Sequence, residues 1–200
     1  MYTLISGSPK VRLSSSVNFL QELSKKIDKY NLFELRKDKY DVIINSIEKS
    51  DVIVLSFPLY VDSPTSILLS FMDYIIDNKI KLTNKLIYVI VNCGFRESVQ
   101  NKTAVSILKS WCVKVDAKYM GSLQIGAGEI VGHNEYNFIS RKVKKAVLKF
   151  SDIVRDKREI DDMHATVDFF TNKLFCFVAN HFWNKRASKN NLLEKDVRIK

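Results

Sequence analysis

A chain of 200 residues, 46% hydrophobic and 27% charged, has the length and composition of one well-buried core, and a second large domain is not expected. The three cysteines, Cys93, Cys112 and Cys176, are odd in number and far apart, which argues against a disulfide framework or a zinc site and fits a reducing cytoplasm. The net charge of +10 is concentrated: residues 141–158 carry eight Lys or Arg against two Asp, so one solvated helix face supplies much of the excess and no nucleic-acid partner is expected.

Apolar periodicity divides the chain into strands and helices in regular alternation. Tyr2–Ser6 reads as the first strand, and Val17, Leu20, Leu23 and Ile27 then recur at helical spacing. Residues 31–35 form a short second strand, followed by a brief helical stretch over 42–47. The run over 51–56, Asp-Val-Ile-Val-Leu-Ser, suits a strand buried on both faces. Leu68, Phe71, Met72, Ile75 and Ile76 mark the next helix, residues 86–91 a fourth strand, and Val105, Leu108, Trp111, Cys112 and Val115 another helix. Residues 119–125 are expected to be the last strand, and Ile139, Val143, Val147, Phe150 and Val154 form the stripe of the last regular helix. Five strands alternating with helices predict a parallel sheet covered on both faces, in order 2-1-3-4-5, over residues 1–158. Residues 159–200 differ in character: Phe169, Phe170, Phe175, Phe177, Phe182 and Trp183 are spread too widely for one helical stripe. They predict a helical extension that packs on its own domain or on a partner subunit.

No basic stretch precedes a long apolar run at the start, so no secretory leader is expected. Residues 167–183 are interrupted by Asp168, Asn172, Lys173, Asn180 and His181, so no membrane span is expected. His133, His164 and His181 stand apart, and no metal site is expected. Ser8 and Ser14 lack the Gly-x-Ser-x-Gly elbow of a nucleophile, and Cys93 reads as an inert, half-buried thiol.

In open α/β sheets ligands sit beyond the carboxyl ends of the strands, where strand order reverses. The first such loop runs Ser6-Gly7-Ser8-Pro9-Lys10-Val11-Arg12-Leu13-Ser14-Ser15-Ser16. Glycine permits a sharp turn, the serines offer hydroxyls, and the helix beyond presents N–H groups and a positive dipole end to an anion. Lys10 and Arg12 add charge. The loop is neither Gly-x-Gly-x-x-Gly nor a Walker loop, and composition alone leaves a second reading open, in which the serines only cap the helix.

Ser-Gly-Ser-Pro-basic followed by a serine cluster resembles the phosphate loop of the NADPH-dependent FMN reductase and quinone reductase family. The likeness continues through Ser50 to Pro64, with its acidic residue, apolar strand and Pro58-Leu59-Tyr60, through Val91-Asn92-Cys93-Gly94-Phe95-Arg96-Glu97, and at Ile125-Gly126-Ala127-Gly128-Glu129. It covers roughly residues 1 to 155, with Lys10 standing where Arg is frequent and a short segment between the second and third strands. The resemblance implies a flavodoxin-like three-layer sandwich that binds FMN. Ser8, Lys10, Arg12, Ser14, Ser15 and Ser16 would hold the phosphate. Pro58, Leu59, Tyr60, Val61, Asn92, Cys93, Gly94 and Phe95 would border the ring, with Tyr60 and Phe95 as aromatic walls. It further implies a cytoplasmic homodimer that passes hydride from NADPH or NADH to a small acceptor such as a quinone, a flavin or a nitro compound, with no catalytic side chain. The alternatives are a non-catalytic FMN carrier, which the charge of +10 disfavours because such carriers tend to be acidic, and a cofactor-free interaction module.

Overall fold

The computed structural model describes residues 1–12, 14–128, 140–167 and 172–192, apart from the side chains of 172, 175, 178, 182 and 186. The expectations for Ile139, for residues 129–134, and for Phe169, Phe170 and the side chains of Phe175 and Phe182 therefore lie outside the described residues.

The elements run β1 (Tyr2–Ser6), α1 (Ser15–Ser24), β2 (Tyr30–Glu34), α2 (Tyr40–Glu48), β3 (Val52–Pro58), α3 (Ser66–Asp77), β4 (Leu86–Asn92), a 3-10 turn (Ser98–Asn101), α4 (Lys102–Lys114), β5 (Lys118–Ile125), α5 (Arg141–Arg155), β6 (Met163–Ala165) and α6 (Asn172–Lys189). All strand pairings are parallel, in the order β2-β1-β3-β4-β5-β6. The predicted order of the first five holds, and the count of five is corrected to six. The added strand, Met163-His164-Ala165, has three residues and no β-branched side chain, so it carries no periodic signal of its own. It forms because the outer edge of β5 offers a ladder, pairing Leu123 with Met163 and Ile125 with Ala165.

Alternation along the central strands sends side chains to two layers. Ile5, Leu55, Phe57, Val89 and Val91 join one core with buried residues of α2, α3 and α4. On the other face α1 packs on β3 and α5, and the fully buried Tyr88 meets Phe150 edge-on at 6.0 Å. Helix α5 buries Val143, Val147, Phe150 and Val154 and exposes Arg141, Lys142, Lys144, Lys145 and Lys149, which accounts for the basic run as a solvated face.

By its contacts the chain divides into Met1–Val167, which holds the whole sheet, and Asp168–Lys200. Among the described residues no helix is long and apolar enough to cross a membrane.

Candidate cofactor-binding site

The loops beyond β1, β3, β4 and β5 share one edge of the sheet, as parallel pairing requires. Where β1 ends, Gly7 N–H donates to Ser56 O on β3 at 2.8 Å. A Cβ on Gly7 would lie 3.1 Å from Leu68 Cβ and 3.2 Å from Phe57 Cβ, so the loop starts pressed against β3 and α3. Thr65 fixes this approach. Its hydroxyl donates to Gly7 O at 2.5 Å and accepts from Leu68 N at 3.4 Å, capping α3 as it anchors the loop.

The serines of the first loop are buried. Ser8 Oγ accepts from Lys10 N at 3.3 Å, and Ser8 N donates to Ser6 Oγ at 3.4 Å. Ser14 is the N-cap of α1, accepting from Val17 N at 3.4 Å. Ser15 and Ser16 form the first buried turn. Ser16 Oγ accepts from Asn92 Nδ2 at 3.2 Å, while the Ser15 hydroxyl makes no hydrogen bond among the described residues. Lys10 is half-buried and Arg12 exposed.

Of the two readings the loop left open, capping belongs to Ser14. A hydroxyl outside the sequence expectation stands out on β3: Ser56, whose carbonyl accepts from Gly7, has its Oγ buried without a partner among the described residues. An unpaired buried hydroxyl is costly unless a ligand satisfies it. The sequence signal was a serine inside an apolar β-branched run.

Beyond β3, Leu59 is buried in the core and its N–H donates to Asn92 O at 2.7 Å. Tyr60 and Ser63 exchange backbone hydrogen bonds of 3.0 and 3.1 Å around Val61 and Asp62, whose φ values are 49° and 58°. This is a tight turn with both central residues left-handed. Pro58 is half-buried, Tyr60 is 44% exposed and Val61 is 99% exposed.

Beyond β4 the groups divide between scaffold and surface. Asn92 points inward: its amide also donates to Phe57 O at 3.2 Å, and a Cβ on Gly128 would lie 2.5 Å from its Oδ1. Cys93 is buried, with N–H donating to Ile125 O and carbonyl accepting from Gly128 N. Burial raises its thiol pKa, as an inert cysteine requires. Phe95 O accepts from Ala127 N at 2.5 Å. The ring of Phe95 is 57% exposed. Among the described residues the N–H groups of Val61, Asp62 and Gly94 keep no internal partner.

The expected residues therefore gather at one edge in two functions. Asn92, Cys93, Leu59 and Ser16 knit the loops together. Lys10, Arg12 and Ser14 line one cavity at the start of α1, Ser8 and Ser15 are buried in the same loop, and Tyr60, Val61 and Phe95 are exposed on the loops beyond β3 and β4.

No protein-family model and no curated protein sequence matches the chain. Solved structures do. Trp repressor binding protein from Bacillus subtilis superposes with a TM-score of 0.59 at 16% identity, over 77% of this chain and 97% of that one. An NADPH-quinone reductase from P. pentosaceus gives 0.59 at 15%, over 76% and 96%. A Streptococcus pneumonia TIGR4 flavodoxin gives 0.58 at 11%, over 78% and 99%. At such identities the likeness carries the architecture, and with the strand order and edge loops described above it establishes that this chain has the flavodoxin-like fold.

Proposed function

We propose that the chain is an FMN-dependent oxidoreductase that draws electrons from NADPH or NADH and passes them to a small acceptor such as a quinone, a flavin or a nitro compound. The observation that carries the reading is the loop at the end of β1, where Lys10, Arg12 and Ser14 line one cavity at the first turn of α1, beside the buried Ser8, Ser15 and Ser16. Its chemistry fits a phosphomonoester: N–H and O–H donors, a helix dipole and positive charge. FMN, when bound, supplies the redox chemistry itself. Ser8, Ser14, Ser15 and Ser56 would donate to phosphate oxygens, with Lys10 and Arg12 balancing charge. Tyr60 and Phe95, exposed on the loops beyond β3 and β4, would cover the apolar ring. Val61, Asp62 and Gly94 would supply main-chain donors to its polar edge. The protein's part is orientation and exclusion of water, so no side-chain acid or base is assigned.

Ser56→Ala separates this reading from a merely structural role. Removing an unsatisfied buried hydroxyl should leave the apoprotein as stable or more stable, while a lost hydrogen bond to a charged phosphate, worth about 1.5–3 kcal/mol, weakens FMN about tenfold or more. Riboflavin, which lacks the phosphate, should bind wild type and variant alike in calorimetry. Equal affinities of wild type for FMN and riboflavin would remove the cradle. Bleaching of the bound flavin by NADPH or NADH under anaerobic conditions, and its restoration by a quinone, tests the oxidoreductase step.

A further inference from the structure

Helix α5 carries its charge unevenly. Its exposed residues are Arg141, Lys142, Lys144, Lys145, Lys149 and Arg155, with no apolar side chain among them. At the C-terminal end the charges are matched: Asp152 meets Arg155 at 3.0 Å and Lys26 at 3.5 Å, and Arg155 meets Asp156 at 2.9 Å. Towards the N-terminal end they are not. The first turn holds no acidic residue, and Arg141, Lys145 and Lys149 make no ion pair among the described residues. These three recur at every fourth residue and form one row, with about 6 Å of rise between neighbours. Like charges at that spacing repel, and cations near a helix N-terminus oppose its dipole. The row therefore works against the helix that bears it, and an anionic partner would relieve it. The Tyr2 hydroxyl, at the start of β1, donates to Arg155 O at 3.0 Å, so the last turn of α5 lies at the amino edge of the sheet. The cations Lys157 and Lys118 are paired there too, with Asp51 at 2.9 Å and Glu159 at 2.6 Å. Because α5 links the parallel strands β5 and β6, its first turn points to the carboxyl edge, where the candidate cofactor site lies.

We infer that the row of Arg141, Lys145 and Lys149 docks an acidic protein surface, one whose carboxylates have matching spacing, as a helix with Asp or Glu at every fourth position presents them. Charge is complementary and the spacing is that of one helix turn against another. A nucleic acid is the poorer fit: the row has two lysines to one arginine, and α5 exposes no aromatic ring on which a base could stack. A lipid surface is the poorer fit as well, because a basic face without an apolar anchor holds a membrane only marginally, and the apolar face of α5 is buried in the core. Charged faces without an apolar centre steer encounter and form small, transient complexes. Such a complex would form at the edge of the sheet that bears the candidate cofactor site, and it does not depend on which cofactor that site holds.

Fluorescence anisotropy on the full chain, without FMN, tests this with a labelled helical peptide that bears Glu at every fourth position of one face. The peptide should bind, and its affinity should fall as salt rises. Arg141→Gln, Lys145→Gln and Lys149→Gln together keep helix propensity and should weaken binding about tenfold, about twofold for each exposed ion pair lost. Lys49→Gln, Lys81→Gln and Lys114→Gln together remove the same charge from exposed positions that precede β3, β4 and β5 at the amino edge. That variant should alter affinity by less than about twofold. A peptide of the same composition with its glutamates spread around the helix should bind the wild type more weakly, an arm that needs no variant to fold. Absence of binding, equal losses in the two variants, or equal binding of the two peptides would overturn the inference. So would a single-stranded oligonucleotide, or a vesicle of phosphatidylcholine and phosphatidylglycerol, that binds more tightly than the peptide and is released by the α5 substitutions; the face would then belong to nucleic acid or to lipid.

Discussion

Val61 is the β-branched member of the left-handed pair in the turn beyond β3. Its φ of 49° is left-handed, a conformation that costs an ordinary L-residue about 1–2 kcal/mol and a β-branched one at least as much. At 99% exposure it recovers nothing by burial. Strained residues persist where surrounding structure over-determines them, and here the reciprocal Tyr60–Ser63 hydrogen bonds do so. Val61→Asn, which tolerates this region, should raise unfolding free energy by about 1 kcal/mol in urea titrations. An unaltered midpoint would mean that the turn relaxes at no cost and the strain is not stored. Asn92 shows the opposite economy. One amide, 4% exposed, joins α1 through Ser16 and β3 through Phe57, and its carbonyl end rests against Gly128.

At the scale of elements, β4 and α4 bury groups that ionise only at high pH. Burial is the largest cause in each case: it pushes the Tyr88 hydroxyl from 10.0 to about 12 and the Cys112 thiol from 9.0 to about 12. Tyr119 on β5 is raised as well, by burial and by its hydrogen bond to Asp162. Because the folded state holds these protons more tightly than the unfolded chain, their contribution is complete below about pH 9. It is lost as pH rises from there through about 12. The thermal midpoint should therefore fall steadily above about pH 9. Tyr88→Phe, which forgoes the 2.9 Å hydrogen bond to Arg158 O, should start lower and fall less steeply above pH 10. A flat alkaline profile in wild type would show that these side chains are solvated in solution.

On the scale of the whole molecule, the sheet and both of its helical layers lie within Met1–Val167, and Asp168–Lys200 forms its own compact unit around α6. In α6 and after it, Leu174, Phe177, Trp183 and Leu192 are exposed. We propose that the terminal unit joins two chains. A chain ending at Val167 should keep cooperative unfolding and the far-ultraviolet spectrum of the sheet domain and scatter light as a monomer, while the full chain scatters as a dimer. A monomeric full chain would sink the dimer, and loss of cooperative unfolding on truncation would show that the sheet domain needs the terminal unit.

Local spacing alone determined much of this protein. Periods of 2 and 3.6 residues are properties of neighbouring side chains, so five strands and their helices could be placed from the sequence, and with them the loops at the carboxyl ends of the strands. The loop that holds Ser8, Lys10, Arg12 and the serines at 14–16 could be located because its residues are contiguous between β1 and α1. The tertiary structure decided what depends on closure between distant segments. β6 exists through the edge of β5 and through Asp162, which accepts from Tyr119 at 2.6 Å, Ser122 at 2.8 Å and Lys109 at 2.6 Å, three partners contributed by β5 and α4. Asn92, Cys93 and Leu59 sit at the predicted edge, yet their direction, inward as struts, follows from hydrogen bonds between loops. That the Ser56 backbone lies against Gly7, and that Glu34 ends a strand beside Ser6, follows only from the pairing of β3 and β2 with β1. A parallel sheet aligns the ends of strands that lie tens of residues apart, and the chemistry assembled at that edge is a property of the pairing, which no local spacing records.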